Sequence, residues 1–386
     1  MTKAVIVGAV RTTVGRAKKG ALVNVRPETL GALVIRDLLR RVPQVEPGMV
    51  DDVIIGCAMP EGAQGMNLGR VVALMGGLPD KVPGLTVNRF CSSGLQTLAY
   101  AAWQIQSKAS DIVIAGGVES MSSVPMGGFN FTADLWGARD FMSMYTPMGL
   151  TAELVADKFG VTRQAQDEYA YNSHMKAAAA WKAGTFNDEI LKVPYLDEAG
   201  RERVLETDEC VRPDTTLEGL AKLNPAFKVG GSVTPGNSSP INDGASVLML
   251  MSEKKAEKLG LTPLARFVDF QVAGTPPEIM GIGPAVAIPK LWKHSKVKDK
   301  DIELYEVNEA FAAQARYCVE KLKIDPAKVN PNGGAIALGH PLGATGAKLT
   351  TSLVYEMKRR NLRYGVVSMC IGGGMGAAGL FENFTK

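Results

Sequence analysis

Two cysteines and one histidine lie in sequence settings that could support covalent catalysis. Cys91 precedes Ser92, Ser93 and Gly94 at the predicted start of a helix. Free N–H groups and the helix dipole at such a position lower a thiol pKa and bind an anion. The sequence therefore predicts a nucleophilic thiol at Cys91, with a buried structural cysteine as the alternative.

His340 lies within a glycine-rich passage at residues 332–343. Glycines on both sides of it indicate tight turns or the close approach of another group. This setting favours a catalytic base or an oxyanion donor over a satisfied structural histidine. The other two histidines, His174 and His294, lie in polar helical or loop settings.

Cys370 follows an apolar segment and opens a glycine-rich run at residues 372–376. The N–H groups of such a run can bind a developing enolate or thioester oxygen. Metal binding by two cysteines and a histidine is the rival interpretation. The sequence has no Cys-x-x-Cys or His-x-x-x-His pair to support it, so no metal site is predicted.

Residues 305–314 place two acids and the amide of Asn308 at a predicted strand-to-helix junction. One interpretation is a helix N-cap with acids on the helix dipole. The other is an amide, that of Asn308, which orients a water molecule in an oxyanion hole. This passage alone leaves both interpretations open.

The elements that must position these residues alternate along the chain. Short apolar runs rich in β-forming residues lie between helical patterns, at 53–56, 111–115, 246–251, 302–307 and 365–369. This alternation predicts an α/β fold with largely buried sheets.

The passages around Cys91 and His340 suggest a duplicated plan. Each places a reactive residue before a predicted helix, which is followed by a strand and by glycines. In the first passage we predict that Gly116 and Gly117 form a turn. Two related halves that face each other would bring both helix starts to one site.

Residues 119–239 differ in character from the flanking sequence. Methionine-rich turns are followed by a strongly helical stretch at 162–183 and by polar loops that contain proline. We interpret this region as an inserted, mostly helical and irregular segment. Such insertions often cover a ligand.

Composition narrows the class of protein. The 386 residues predict two or three structural units. A net charge of +4, without interleaved basic and aromatic residues, argues against nucleic-acid binding. Five irregularly spaced cysteines argue against a disulfide framework. The sequence has neither a signal-peptide pattern nor an apolar run near the ~20 residues of a membrane span, so a cytoplasmic location is the default expectation.

Four separated blocks together resemble the signature sequences of thiolases, at 88–94, 308–311, 339–341 and 370–374. The resemblance covers essentially the whole chain. It implies two duplicated βαβαβαββ halves in a five-layer α/β/α/β/α arrangement with an inserted loop domain. It also implies a homodimer or homotetramer, without a membrane span or a nucleic-acid partner.

The resemblance also suggests domain limits. We expect the N-terminal thiolase half to comprise residues 1–118 and 240–264. The coenzyme A-binding loop domain would then be residues 119–239, and the C-terminal half residues 265–386.

By the same resemblance, Cys91 is the nucleophile that becomes acylated, His340 is the base that activates it, and Cys370 is the acid/base at the α-carbon. His340 and a water held by Asn308 would form one oxyanion hole. The N–H groups of Cys91 and Gly372 would form the other. No metal or permanently bound cofactor is expected, since coenzyme A and acyl-CoA are substrates.

The resemblance further assigns binding residues. Arg212, Thr215 and Ser239 match family positions near coenzyme A, although each could instead be a turn or cap residue. Pro235 and Pro240 depart from the residues usual in the loop that carries Ser239. The expected acyl pocket contains Met148, Met280 and Phe311, and its width depends on how they and the loop around Trp136 pack.

The segment Pro147-Met148-Gly149 resembles degradative 3-ketoacyl-CoA thiolases, whereas biosynthetic acetoacetyl-CoA thiolases usually have His-Met-Gly there. The leading expectation is therefore thiolysis of 3-ketoacyl-CoA in β-oxidation, with a partner enzyme of that pathway. The alternative is an enzyme that forms acetoacetyl-CoA. Retention of Cys91, His340 and Cys370 together argues against a ketoacyl synthase and against a non-catalytic acyl-CoA-binding relative.

Overall fold

The computed structural model describes residues 2–384 as an α/β protein with strands, α-helices and short 3-10 turns. The strands are β1 (Ala4–Thr12), β2 (Gly15–Arg16), β3 (Asp52–Gly56), β4 (Gly84–Val87), β5 (Ile112–Ser120), β6 (Ile190–Leu191), β7 (Val193–Leu196), β8 (Glu202–Leu205), β9 (Asn242–Ser252), β10 (Ala265–Gly274), β11 (Leu304–Val307), β12 (Tyr364–Ile371) and β13 (Met375–Asn383).

The α-helices connect and cover these strands. They are α1 (Pro27–Arg41), α2 (Leu68–Met75), α3 (Ser93–Gln106), α4 (Leu135–Asp140), α5 (Met148–Phe159), α6 (Arg163–Lys182), α7 (Leu217–Ala221), α8 (Glu253–Lys258), α9 (Gly283–Ser295), α10 (Ala312–Leu322), α11 (Ala335–Leu338) and α12 (Leu342–Arg360).

Strand pairing confirms the duplicated plan. The main sheet runs β11-β12-β13-β10-β1-β9-β5-β3-β4. From its centre outwards, β1-β9-β5-β3 and β10-β13-β12-β11 pair in the same way, antiparallel twice and then parallel. A short antiparallel pairing of β1 with β10, at Val5 and Ile6, joins the two halves.

The apolar core lies in three layers between helices and strands. In one outer layer, α1 and α2 pack against the strands of the N-terminal half. In the other, α9 and α10 pack against the strands of the C-terminal half. The central layer contains α3 and α12 between strands of both halves. This arrangement is the expected five-layer fold. Because both faces of the sheet are covered, all residues of β9 are buried.

Helices α3 and α12 meet through glycines at their N-terminal ends. A Cβ atom at Gly346 would overlap the backbone nitrogen of Leu95, and a Cβ atom at Gly94 would overlap backbone atoms of Gly343 and Ala347. Only glycine allows two backbones to approach so closely. The contact fixes the start of α3 beside the start of α12.

The predicted turn at Gly116 and Gly117 is wrong, because β5 continues through both residues to Ser120. A Cβ atom at Gly116 would overlap Ser246 of the neighbouring strand, and one at Gly117 would overlap Gly343 at the start of α12. These glycines therefore serve close packing and not chain reversal.

The segment that we expected to be inserted, residues 119–239, carries α4 to α7 and β6 to β8. The predicted helical stretch at 162–183 corresponds to α6. The short strand β6 pairs in parallel with β1. Beside it, buried Arg11 contacts Glu189 at 2.5 Å and Asp208 at 3.0 Å, which ties the segment to the central sheet. No helix within residues 2–384 has both the length and the apolar character of a membrane span.

The α3–α12 contact predicts the effect of adding one methyl group. Gly346→Ala should lower the free energy of unfolding by about 1–3 kcal/mol, since overpacking against a backbone outweighs the gain in helix propensity. Thermal and urea unfolding would measure this. The control is Gly274→Ala, where a Cβ atom would meet nothing within 4 Å. Equal stability of both variants would contradict the proposed role of the contact.

Candidate active site

Cys91 lies in a 3-10 turn, Phe90–Ser92, that leads directly into α3. Phe90 has a φ of 43°, which is unusual for a bulky residue. Its N–H donates to the Asn88 side chain at 2.8 Å, and its carbonyl accepts from the Ser93 hydroxyl at 2.7 Å. These bonds hold a strained turn that presents a partly exposed Cys91 at its apex.

The Cys91 sulfur faces two backbone N–H groups, those of Gly372 and of Cys91 itself. Burial nevertheless raises the pKa of the Cys91 thiol to about 12, while these N–H groups act in the opposite direction. Our expectation that the helix start would lower this pKa is therefore wrong in net direction. Desolvation outweighs the N–H groups, and the resting group is a thiol.

His340 lies just before α12 and is buried. Its backbone N–H donates to Asn242 Oδ1 at 2.8 Å. Its ring nitrogens contact Thr345 Oγ1 at 2.6 Å through Nδ1 and Asn308 Nδ2 at 3.3 Å through Nε2. Burial, and then the charge of Lys348, lower the pKa of His340 to about 3. The imidazole is therefore neutral at pH 7, and one of its ring nitrogens carries a free lone pair.

Cys370 is fully buried near the end of β12. Burial raises its pKa well above the usual value, and the neighbouring Cys91 raises it further. Gly372 follows in a turn between β12 and β13, where Gly373 and Gly374 have φ values of 77° and 82°. The structure thus brings Cys91, Cys370 and Gly372 together, with both thiols protonated at rest.

Asn308 follows β11 and is fully buried. Its backbone N–H donates to Ser368 O at 2.9 Å, and its carbonyl accepts from Gln314 Nε2 at 3.1 Å. The N-cap of α10 is Phe311, so Asn308 is not a helix cap. Its Oδ1 has no hydrogen-bond partner among the described residues, which leaves an acceptor beside His340.

The three residues expected in the acyl pocket lie together. Met280 and Phe311 belong to one buried apolar cluster that also contains Cys370, and the partly buried Met148 packs against it. Met148 approaches Gly372, where a Cβ atom would lie 3.4 Å from the Met148 sulfur. Trp136, in contrast, is exposed on α4. The arrangement surrounds one thiol with flexible apolar side chains.

The predicted coenzyme A residues divide into two places. Ser239 lies beside the Asn308 loop, since its N–H donates to Ala310 O at 3.0 Å. Arg212 and Thr215 share a turn on the segment at 119–239, where the Arg212 N–H donates to His174 Nδ1 at 3.3 Å. The Arg212 guanidinium is exposed and makes no hydrogen bond or ion pair with another side chain in residues 2–384.

Glu119, which lies next to the site, was not predicted from the sequence. The buried carboxylate of Glu119 accepts N–H groups from Ala58 at 2.7 Å and from Gly343 at 2.8 Å, and the Gln64 amide at 2.9 Å. It thereby anchors the first turn of α12. The only signal in the sequence was an acid directly after an apolar run, which does not reveal these partners.

Comparison with known proteins gives a consistent result. The chain matches the family models described as thiolase, N-terminal domain, at residues 4–254, and thiolase, C-terminal domain, at 261–383. It is 54% identical to the 3-ketoacyl-CoA thiolase of Bacillus subtilis, over 99% of this chain and 100% of that protein. It is 48% identical to the peroxisomal 3-ketoacyl-CoA thiolase A of Mus musculus, over 98% of this chain and 90% of that protein.

Solved structures agree in fold. The Bacillus anthracis acetyl-CoA acetyltransferase superposes with a TM-score of 0.92 at 44% identity, and 99% of each chain is covered. The human mitochondrial 3-ketoacyl-CoA thiolase superposes with a TM-score of 0.91 at 39% identity, also over 99% of each chain.

The protonation state of Cys91 predicts its reactivity. Of the five cysteines, only Cys91 is partly exposed, so iodoacetamide should label it first in the native protein. Its rate should rise about tenfold per pH unit between pH 7 and 9, because the thiolate is a small fraction throughout that range. Peptide mapping by mass spectrometry would follow the reaction, with the unfolded protein as control. A rate that levels off near pH 7 would reveal a resting thiolate instead.

Proposed function

The chain belongs to the thiolase family, and on that premise we propose that it transfers the acyl group of a 3-ketoacyl-CoA to coenzyme A and releases acetyl-CoA. Full-length relatives named 3-ketoacyl-CoA thiolase support this activity. The observation that carries the chemistry is the placement of the Cys91 sulfur at the Gly372 N–H, on a turn that packs against both β12 and α12.

In the first half-reaction, neutral His340 accepts the Cys91 proton, and the sulfur attacks the 3-keto carbon. The N–H groups of Cys91 and Gly372, which face this sulfur, stabilise the resulting oxyanion. The protonated imidazole and a water held at Asn308 stabilise the enolate oxygen that forms in the next step. Cleavage of the bond between C2 and C3 leaves the acyl group on Cys91 and an enolate of acetyl-CoA. The Cys370 thiol then donates its proton to C2.

In the second half-reaction, coenzyme A collects the acyl group. The Cys370 thiolate left by the first step takes the proton of the coenzyme A thiol, and the sulfur attacks the Cys91 thioester. The N–H groups of Cys91 and Gly372 face this sulfur and stabilise the oxygen of the adduct. Collapse of the adduct returns the proton of His340 to Cys91 and restores both resting thiols.

The acyl chain would lie against the apolar cluster of Met148, Met280 and Phe311. Three flexible or aromatic side chains favour acceptance of several chain lengths. Formation of acetoacetyl-CoA is the second candidate function, and the likeness to the Bacillus anthracis acetyl-CoA acetyltransferase is the observation in its favour.

The assembly and location are also proposals. Strand β4 ends the main sheet, and Leu85 on it and Trp103 on α3 are exposed, which supports pairing with a second copy. All five cysteines are unpaired, which supports a reducing compartment such as the cytoplasm.

Substrate choice is tested by thiolysis rates for acetoacetyl-CoA and for 3-ketoacyl-CoAs of increasing chain length. We expect larger kcat/KM values for the longer substrates and a loss of at least about 1,000-fold in Cys91→Ala, because this variant lacks the sulfur that carries the acyl group. Cys318→Ala, which removes a buried thiol from α10, serves as control. Strict preference for acetoacetyl-CoA would favour the second candidate function, and full activity in Cys91→Ala would overturn the mechanism.

Coenzyme A binding is tested at Arg212. Arg212→Gln should raise KM for coenzyme A about fivefold or more while kcat changes little, because the unpaired guanidinium would lose a phosphate contact made throughout the reaction. The matched control is Arg203→Gln, which removes an exposed arginine of the same segment that is paired with Asp197. An unchanged KM in Arg212→Gln would exclude this contact.

A further inference from the structure

We propose that Thr345 fixes the tautomer of His340, holding the proton on Nδ1 so that Nε2 presents its lone pair to the reaction. Thr345 is then a positioning residue that acts through His340. This inference rests on the proposed role of His340 as the base that activates Cys91.

The first observation is the geometry of the Thr345 hydroxyl. Thr345 is fully buried in the first turns of α12, and its Oγ1 lies 3.1 Å from the carbonyl oxygen of Pro341. Serine and threonine in helices commonly donate to the carbonyl four residues earlier. A hydroxyl has one proton, so a hydroxyl that donates to Pro341 meets any further partner as an acceptor.

The second observation is the partner that remains. His340 Nδ1 lies 2.6 Å from Thr345 Oγ1. With the hydroxyl donating to Pro341 O, as is common for threonine in a helix, this short contact requires a proton on Nδ1. A neutral imidazole has a single ring N–H, so Nε2 is left without one.

The contact at the other ring nitrogen, Nε2, favours the same tautomer. In the orientation of the Asn308 amide that leaves Oδ1 free for a water, Nε2 lies 3.3 Å from Nδ2, and an amide nitrogen only donates. A proton on Nε2 would therefore face another donor. The two contacts come from different elements, the first turns of α12 and the loop after β11, and each favours a proton on Nδ1.

The reversed tautomer would disturb both contacts. Thr345 would have to withdraw its proton from Pro341 O, which would then keep only the Ala344 N–H at 2.8 Å. The Asn308 amide would have to turn or move away from Nε2. With the proton on Nε2, the ring nitrogen on the Asn308 side could not accept the Cys91 proton.

The test combines kinetics with spectroscopy. Thr345→Val keeps the shape of the side chain but removes the hydroxyl, so we expect the rate of Cys91 acylation to fall on the order of 10- to 100-fold. The value of KM should change little. Thr345→Ser restores the hydroxyl and should recover most of the rate.

The matched control is Thr350→Val in the same helix. Thr350 is also fully buried, and its hydroxyl donates to the carbonyl four residues earlier, Gly346 O, at 2.8 Å. It has no contact with His340 among its hydrogen bonds. This variant measures the cost of losing a buried helix hydroxyl alone and should retain the wild-type acylation rate.

Long-range ¹H–¹⁵N correlation spectra of protein with ¹⁵N-labelled histidine would report the tautomer directly. The chain has three histidines, and a His340→Gln sample assigns the relevant signals. We expect a protonated Nδ1 in the wild type and in Thr345→Ser, and a mixed or reversed tautomer in Thr345→Val.

A protonated Nε2 in the wild type, or a wild-type acylation rate in Thr345→Val, would overturn the inference. Failure of the proposed function would be seen separately, as thiolysis that survives Cys91→Ala. If Cys91→Ala is inactive and Thr345→Val is fully active, only the role of Thr345 is lost.

Discussion

The contact between the N-terminal ends of α3 and α12 is the constraint on which the site depends. Cys91 and His340 are far apart in sequence, and each immediately precedes one of these helices. Gly94 and Gly346 let the two backbones meet, while Glu119 binds the first turn of α12 to the loop after β3. Cys91 and His340 meet because the topology is duplicated: each half contributes one central helix, and both helices lie in the same layer.

Burial then decides the charge of every reacting group. It raises the pKa values of the thiols of Cys91 and Cys370 and lowers that of His340. The resting site therefore contains no ion pair between these groups, in contrast to a site built around a permanent thiolate. Charge develops only when substrate arrives, where the N–H groups of Gly372 and Cys91 already face the sulfur.

Much of the fold followed from local pattern, because helices and strands reveal themselves by periodicity and composition. The stretch at 162–183 and the strand at 365–369 correspond to α6 and β12. The prediction of a turn at Gly116 and Gly117 was wrong. In the sequence, a glycine that allows close packing of a neighbouring backbone looks the same as a glycine that forms a turn.

For the site, residue types and order indicated which groups lie together, but not their electrostatics. The pKa of Cys91 depends on how completely other elements cover it, which is a tertiary property. Glu119 and Thr345 likewise act through partners that the fold supplies. The positive φ of Phe90 could not be predicted from the sequence, because a bulky side chain disfavours that backbone conformation.

The buried arginine of β1 has a consequence for exchanging parts between relatives. Arg11 is supplied by the sheet, whereas Glu189 and Asp208 are supplied by the segment at 119–239. A chimera that received this segment from a donor lacking either acid would leave a guanidinium buried without its counter-charge, which is strongly destabilising. A graft of residues 119–239 therefore has to keep both acids, or has to replace β1 together with the segment.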